Sequence, residues 1–315
     1  MNKNTDTNKH QIIKIDNQEF NIAKSTRLHI KMTDACNAIC PFCVARLGKL
    51  REEHIIDNLQ QKIDVAINKL NVKNVVLLGG EPTISKNLFP ILNELKSYKD
   101  DLSEITIITN GVKLHDMEFV RRLSESPITA VNISIHHWET QRNDDLMHIK
   151  SLERNELIQI RDILHKNNKQ LWLSVVLMKG VVDSAEKILK YIKHFATVVD
   201  QIRMFPISYT KEHETISEVA NFTKSHLLEV SDLNNMIKEA LSYGEKVDLD
   251  PQQFNLNAYS SALIYGQQVI FKNTEIHKDK DDEKNNLIYS IKLLPSGKLT
   301  NTYHDRGLDL YNLLR

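Results

Sequence analysis

The chain has 315 residues with 41 basic and 41 acidic side chains, so it can form one large α/β domain or two modest ones, and its balanced charge speaks against a nucleic-acid or anionic-membrane surface. Apolar runs such as VVLLGG and LWLSVVLM are too short to cross a bilayer, and MNKNTDTNKHQ lacks the apolar core of a signal peptide. Three cysteines give no disulfide framework, so a reducing cytoplasm is the expected compartment.

In chain order, QIIKIDNQEFNI (11–22) reads as a hairpin turning at Asp16-Asn17. From 28 to 207, short apolar runs alternate with amphipathic ones. The strand candidates are LHIKMT (28–33), NVVLLG (74–79), EITIIT (104–109), AVNISI (130–135), QLWLSVVL (170–177) and DQIRMFPI (200–207). Helical spacing falls at about 57–71, 86–98, 115–125, 151–167 and 184–196. Strand–helix repetition predicts parallel strands in an open barrel or a doubly wound sheet, with the site at the C-terminal strand ends. Residues 212–243 look helical, and 272–286 read as a solvated loop. The tail LIYSIKLLPSGKLTNTYHD reads as two strands around a Pro-Ser-Gly turn that pack on the barrel or cover its mouth.

All three cysteines, Cys36, Cys40 and Cys43, follow the first core strand directly. Three thiolates from one loop suit three corners of a metal cluster, and a [4Fe–4S] cluster so held leaves one iron open. A structural zinc site normally closes with four ligands, and here no fourth cysteine exists and His54 stands at no characteristic spacing. A catalytic cysteine needs one thiol and a base rather than three thiols.

CNAICPFC (36–43) resembles the Cx3CxΦC signature of radical S-adenosylmethionine (SAM) enzymes, with Phe42 at the aromatic position. LLGGEPTI (77–84) resembles that superfamily's GGEP motif, and ITNG (108–111) and VNISI (131–135) resemble elements of its molybdenum-cofactor (MoaA-like) branch. The resemblance covers roughly residues 25 to 207. It implies an α/β chain built as a partial (β/α)6 TIM-like barrel over 25–210, with an N-terminal hairpin or tail at 1–24 and a C-terminal α+β extension at 211–315 capping the barrel. It also implies a [4Fe–4S] cluster on Cys36, Cys40 and Cys43, with SAM chelating the fourth iron. SAM contacts carried over by the same resemblance are Phe42 (backbone), Gly79, Gly80, Glu81, Thr109, Asn110, Ser134 and Phe205. Gly79 and Gly80 permit close backbone approach, and Glu81 could add a carboxylate to the SAM amino group.

The implied reaction is one-electron cleavage of SAM to methionine and a 5′-deoxyadenosyl radical, which removes a hydrogen atom from the substrate. No cysteine follows Cys43, so the Cys-rich auxiliary-cluster extension of many members is missing, as is a cysteine hydrogen-atom donor. The short stretch before the core leaves no space for a cobalamin or peptide-recognition domain. These features favour redox-neutral rearrangement, elimination or bond formation on a nucleotide, sugar or amino-acid-like small molecule. The electron would come from a flavodoxin or ferredoxin. The alternatives are modification of a peptide or tRNA, or a non-catalytic zinc- or iron-binding protein.

This sequence departs from the branch at IHHWETQRNDD (135–145), where an acidic residue commonly follows the strand-four serine. His136 and His137 are candidate catalytic groups and Trp138 a candidate stacking surface for substrate; equally, the segment reads as a polar loop. Arg203 reads either as an anion clamp for substrate or as a salt bridge to a neighbouring helix. Tyr303, a further catalytic candidate, and His304 could reach the mouth if the tail folds over it.

Overall fold

The computed structural model describes residues 11–15, 18–43, 55–209, 216–250, 259–272, 287–302 and 307–314. The predicted turn at Asp16-Asn17, nearly all of the predicted solvated loop, and Tyr303 and His304 lie outside these residues.

Strand β1 (Gln11–Ile15) pairs antiparallel with β2 (Gln18–Lys31). β2 is much longer than the LHIKMT run because no glycine or proline interrupts QEFNIAKSTRLHIK. Its first half completes the hairpin, and its second half pairs with β3 (Asn74–Leu78). Next come β4 (Glu104–Thr109), β5 (Ala130–Ser134), β6 (Gln170–Leu177) and β7 (Gln201–Pro206), each parallel to its predecessor. The intervening helices are α1 (Leu59–Asp64, continued by a π-helical turn over Val65–Lys69), α2 (Leu88–Leu95), α3 (Met117–Ser124), α4 (Thr140–Met147), α5 (Arg154–Lys166) and α6 (Ala185–Phe195). Of these, α4 was not anticipated, since TQRNDDLM has no apolar stripe.

The C-terminal region contributes α7 (Ser217–Ser225), α8 (Val230–Leu241), β8 (Glu245–Lys246), β9 (Tyr259–Ile264), β10 (Gln267–Lys272), β11 (Leu287–Leu293), β12 (Leu299–Thr300) and α9 (Leu310–Leu314). Its strands lengthen the sheet at both edges: β10 runs parallel to β7 and β11 parallel to β2. The full order is β12-β11-β2-β3-β4-β5-β6-β7-β10-β9-β8, with β1 pairing the first part of β2 off this path. The described sheet is therefore open, as a partial barrel requires.

Strand alternation sorts side chains onto two faces. Leu28, Ile30, Val75, Leu77, Ile105, Ile107 and their counterparts on later strands are buried in one core with the apolar stripes of the helices. The other face is polar, carrying Arg27, His29, Glu104, Asn132, Ser174 and Arg203. An apolar outer face under helices and a polar inner face leave chemistry only one place to occur, the concave side and its C-terminal rim. Helix starts are set locally, as where the Ser184 hydroxyl accepts the Lys187 N–H (3.2 Å) at the head of α6.

Candidate active site

Four loops leave the C-terminal ends of β2, β3, β4 and β5 and meet at one rim. The β2 loop carries the cysteines. Cys40 is buried, Cys43 half-buried and Cys36 exposed, and all three are free thiols. The Ala38 N–H reaches Cys36 Sγ at 3.4 Å and the Cys43 N–H reaches the Cys40 carbonyl at 3.3 Å. The Ile39 N–H anchors the loop to the Met147 carbonyl at the end of α4 (3.0 Å). Burial pushes the Cys36 thiol pKa up, against the pull of the Ala38 N–H, and the nearby Glu81 carboxylate pushes it further up.

The GGEP loop lies flat against this cysteine loop. The Gly80 N–H donates to the Thr33 carbonyl and the Glu81 N–H to the Ala35 carbonyl, both at 2.7 Å. A Cβ on Gly79 would stand 2.8 Å from the Thr33 carbonyl oxygen, and one on Gly80 would stand 2.1 Å from that of Ala35. The glycines thus serve, first of all, the close approach of two protein loops.

The Glu81 carboxylate is only 1% exposed. Oε1 accepts from the Thr83 N–H (3.0 Å), the Thr83 hydroxyl (2.5 Å) and the Thr109 hydroxyl (2.6 Å), while Oε2 accepts the Asn110 N–H (2.7 Å). Burial raises its pKa against these four donors. The Glu81 side chain turns inward and ties the GGEP loop to the TNG loop. The Thr109 hydroxyl takes part in that tie, donating to Glu81 and accepting the Gly111 N–H (3.0 Å). Asn110 sits beside the cysteines, with Nδ2 at 2.7 Å from Asn37 Oδ1 and 3.9 Å from Cys36 Sγ.

Ser134, at the end of β5, is half-buried on the polar face opposite Ser174. The two histidines that follow part company. His136 is buried, accepts the Val176 N–H on Nδ1 (3.2 Å) and meets the Phe42 ring edge-on at 4.9 Å. Its proton therefore sits on Nε2, and burial lowers its pKa to about 4, keeping it neutral. His137 faces the helical layer, where it stacks on Trp138 (4.1 Å) and accepts the Glu139 N–H on Nδ1 (2.9 Å). Lys190 of α6 lies over the Trp138 ring at 4.7 Å. His137 and Trp138 line a small cleft with Arg154 and His194, and the buried Trp138 indole N–H has no protein partner. The structure does not bring them together with the cysteines.

Phe205 is half-buried near the end of β7, level with Val176. Arg203 is buried: its guanidinium stacks on Trp172 (3.8 Å), bonds Gln201 Oε1 (2.5 Å) and faces Glu104 of β4 at 3.7 Å. Burial lowers its pKa to about 10, with Glu104 opposing. Arg203 thus pairs across the polar face with another strand, neither an open clamp nor a bridge to a helix. One neighbour escaped the sequence reading altogether. Phe222 of α7 lies 6.3 Å from Phe42 and stacks on His226 (3.8 Å), which sets a C-terminal helix against the cysteine loop. Only the amphipathic pattern of α7 hinted at it.

The donor set fits an iron–sulfur cluster: three free thiols on one loop, with two N–H groups aimed at one of the sulfurs. Among the described residues, no three histidine, cysteine or acidic side chains form a group suited to a bound metal ion; the thiols of a cubane each take a different iron and stand wider apart. No helix among the described residues is long and apolar enough to cross a membrane.

Comparison with known proteins agrees with this geometry. A GTP 3′,8-cyclase of Peptoclostridium acidaminophilum is 32% identical over 159 residues, which cover 50% of this chain and 48% of that protein. A probable GTP 3′,8-cyclase of Sulfurisphaera tokodaii is 25% identical over 208 residues, 62% of this chain and 63% of that one. The chain thus spans about half to two thirds of the length of these relatives. In fold it matches Streptococcus suis SuiB bound to S-adenosylmethionine, with a TM-score of 0.64, 17% identity, and coverage of 92% of this chain and 64% of that one. It also matches anSMEcpe with bound AdoMet and a peptide, at TM-score 0.58 and 14% identity over 92% of this chain and 78% of that one. Residues 30–192, more than half of the chain, match the radical SAM superfamily; the chain belongs to that superfamily, whose members work with a [4Fe–4S] cluster and SAM.

Proposed function

We propose that this chain cleaves SAM reductively and acts on a small-molecule substrate of the nucleotide class. Cys36, Cys40 and Cys43 would hold three irons of a [4Fe–4S] cluster and leave the fourth to the amino and carboxylate groups of SAM. When bound, cluster and cofactor supply a 5′-deoxyadenosyl radical able to take hydrogen from an unactivated C–H bond.

The chain's own residues do the placing. Gly79 and Gly80, held against Thr33 and Ala35, offer main-chain carbonyls toward the amino end of the cofactor. Ser134 offers a hydroxyl, and Phe205 and the Phe42 backbone offer the wall, of an adenosyl pocket. Neutral His136 presents its Nε2–H beside Phe42 as a donor that does not titrate near neutrality. Packing of Phe222 toward Phe42 helps exclude water from a site whose chemistry other hydrogen donors would quench. The radical core would occupy 25–210, flanked by 1–24 and 211–315, and a flavodoxin- or ferredoxin-like reductant would supply the electron. The nucleotide class rests on the kinship with GTP 3′,8-cyclases.

The observation that carries the proposal is the trio of free thiols on a single loop laced by main-chain bonds to the GGEP loop. Anaerobic reconstitution should give brown protein with about four irons per chain. That protein should release 5′-deoxyadenosine from SAM under dithionite, and alanine at any one of the three cysteines should abolish it. Screening nucleoside triphosphates for faster SAM consumption then tests the substrate class. Colourless protein holding one tight zinc and inert toward SAM would refute the reading.

A further inference from the structure

Asn110 uses both polar atoms of its side chain and its main-chain N–H, and its orientation is not open to choice. The Val112 N–H donates to Oδ1 (3.1 Å), which forces the amide nitrogen to the other side. There Nδ2 donates to Asn37 Oδ1 (2.7 Å) and reaches Cys36 Sγ (3.9 Å). The main-chain N–H is held by the buried Glu81 carboxylate (2.7 Å), so the whole residue is pinned from behind. Its position therefore has little freedom: 8% exposed, at the foot of a turn whose next residue, Gly111, takes φ +84°. With the Ala38 N–H at 3.4 Å, Cys36 Sγ has two N–H groups directed at it, one from the main chain and one from a side chain of a different loop. Among the described residues, no remote side chain donates to Cys43 Sγ.

Hydrogen bonds to a cluster's sulfurs are among the factors that set its potential, because they stabilise the more negative, reduced form. We infer that Asn110 is a positioning residue that joins the Glu81 brace to the Cys36 side of the cysteine loop and raises the reduction potential of the cluster bound there. This deepens the proposed function and rests on it, since it presumes that Cys36 ligates iron. Asn37 accepts from the same amide nitrogen, whose two N–H groups can serve both acceptors.

The test is an EPR-monitored redox titration of the reconstituted cluster, with iron content and the SAM-induced spectral change measured alongside. Asn110→Ala removes the donor without adding charge. The ratio of reduced to oxidised cluster at a fixed potential should fall about tenfold, equivalent to about 59 mV for a one-electron couple. Asn110→Asp keeps the acceptor for Val112 but points a second acceptor at Asn37 and the sulfur, so it should fall further. Asn37→Ala frees Nδ2 for Cys36 alone, so its potential should equal or exceed that of the parent. An Asn110→Ala protein that folds with the parent's thermal midpoint yet takes up no iron would also support the link to Cys36. The inference is overturned if Asn110→Ala titrates with the parent, if only Asn110→Asp shifts, or if Asn37→Ala falls as far as Asn110→Ala. Failure of the parent itself to bind a cluster would overturn the proposed function as well, which separates the two results.

Discussion

Among the described residues, Glu81 and Glu104 are buried almost completely and are handled in opposite ways. Glu81, at the C-terminal rim, takes four hydrogen bonds from neutral donors, and none of its recorded partners is a cation. Glu104, at the start of β4, sits between Arg27 (3.9 Å) and Arg203 (3.7 Å) and accepts from the Thr106 hydroxyl (2.9 Å). Neutral donors with fixed directions set the shape of loops without importing positive charge beside the rim proposed to hold a cationic cofactor. Arginines reaching across the polar face instead link strands that are not neighbours, here β2, β4 and β7. The rim is built for geometry and the base of the face for cohesion.

That contrast can be broken most severely at Glu104. Glu104→Gln leaves Arg203 buried beside Trp172 without its carboxylate, and loss of one partner from a buried pair costs about 3–5 kcal/mol. Urea unfolding at neutral pH would show it, and a loss below about 1 kcal/mol would mean that the arginines do not depend on Glu104.

Acid should attack the rim. His136 is held at a pKa of about 4 in the fold against an ordinary value near 6.5, so the native state favours the neutral ring. The associated stability is fully present above about pH 6.5 and is lost as pH falls toward 4, amounting to about 3 kcal/mol. His136→Asn should remove its own share of that limb of a pH–stability profile, leaving a comparable slope from His29, whose pKa is lowered to about 3 by burial and by the nearby Lys292 and Arg27 charges.

Glu81→Gln comes next. An amide accepts through one oxygen only and turns its NH2 toward a donor, so it should cost about 1–3 kcal/mol. The distinguishing result is that affinity for SAM and retention of iron should suffer more in Glu81→Gln than in Glu104→Gln. Equal effects would erase the distinction between the two glutamates. The smallest effect should come from Ser184→Ala, which removes the cap of α6 and neither glutamate's partners, and should cost about 1 kcal/mol, with cofactor cleavage unchanged.

Much of this was legible in the linear chain. The six apolar runs between 28 and 207 became β2 to β7 because their patterns are local and repeated, and three cysteines on a loop after a strand have few uses. What could not be read is non-local. Nothing near Glu81 says that its oxygens are claimed by Thr109 and Asn110, and nothing near Arg203 names Glu104, almost a hundred positions earlier. The adjacent pair His136-His137 looks uniform in sequence, yet the end of a strand sends successive side chains to opposite sides. The polar helix α4 is held by tertiary bonds, such as that from the Asn143 amide to Ser151 (2.7 Å), and so carries no apolar signature.

The edge of β2 has a consequence for how the chain is made. Its partner on that side is β11, and the Thr26 hydroxyl donates to the carbonyl of Ile288, 262 residues later. A ribosome must therefore deliver 262 further residues before that row of amide groups finds its mate, and until then it stands open to any passing strand. Nascent chains should lean on holding factors, and slow-growth or low-temperature expression should raise the yield of correctly assembled material.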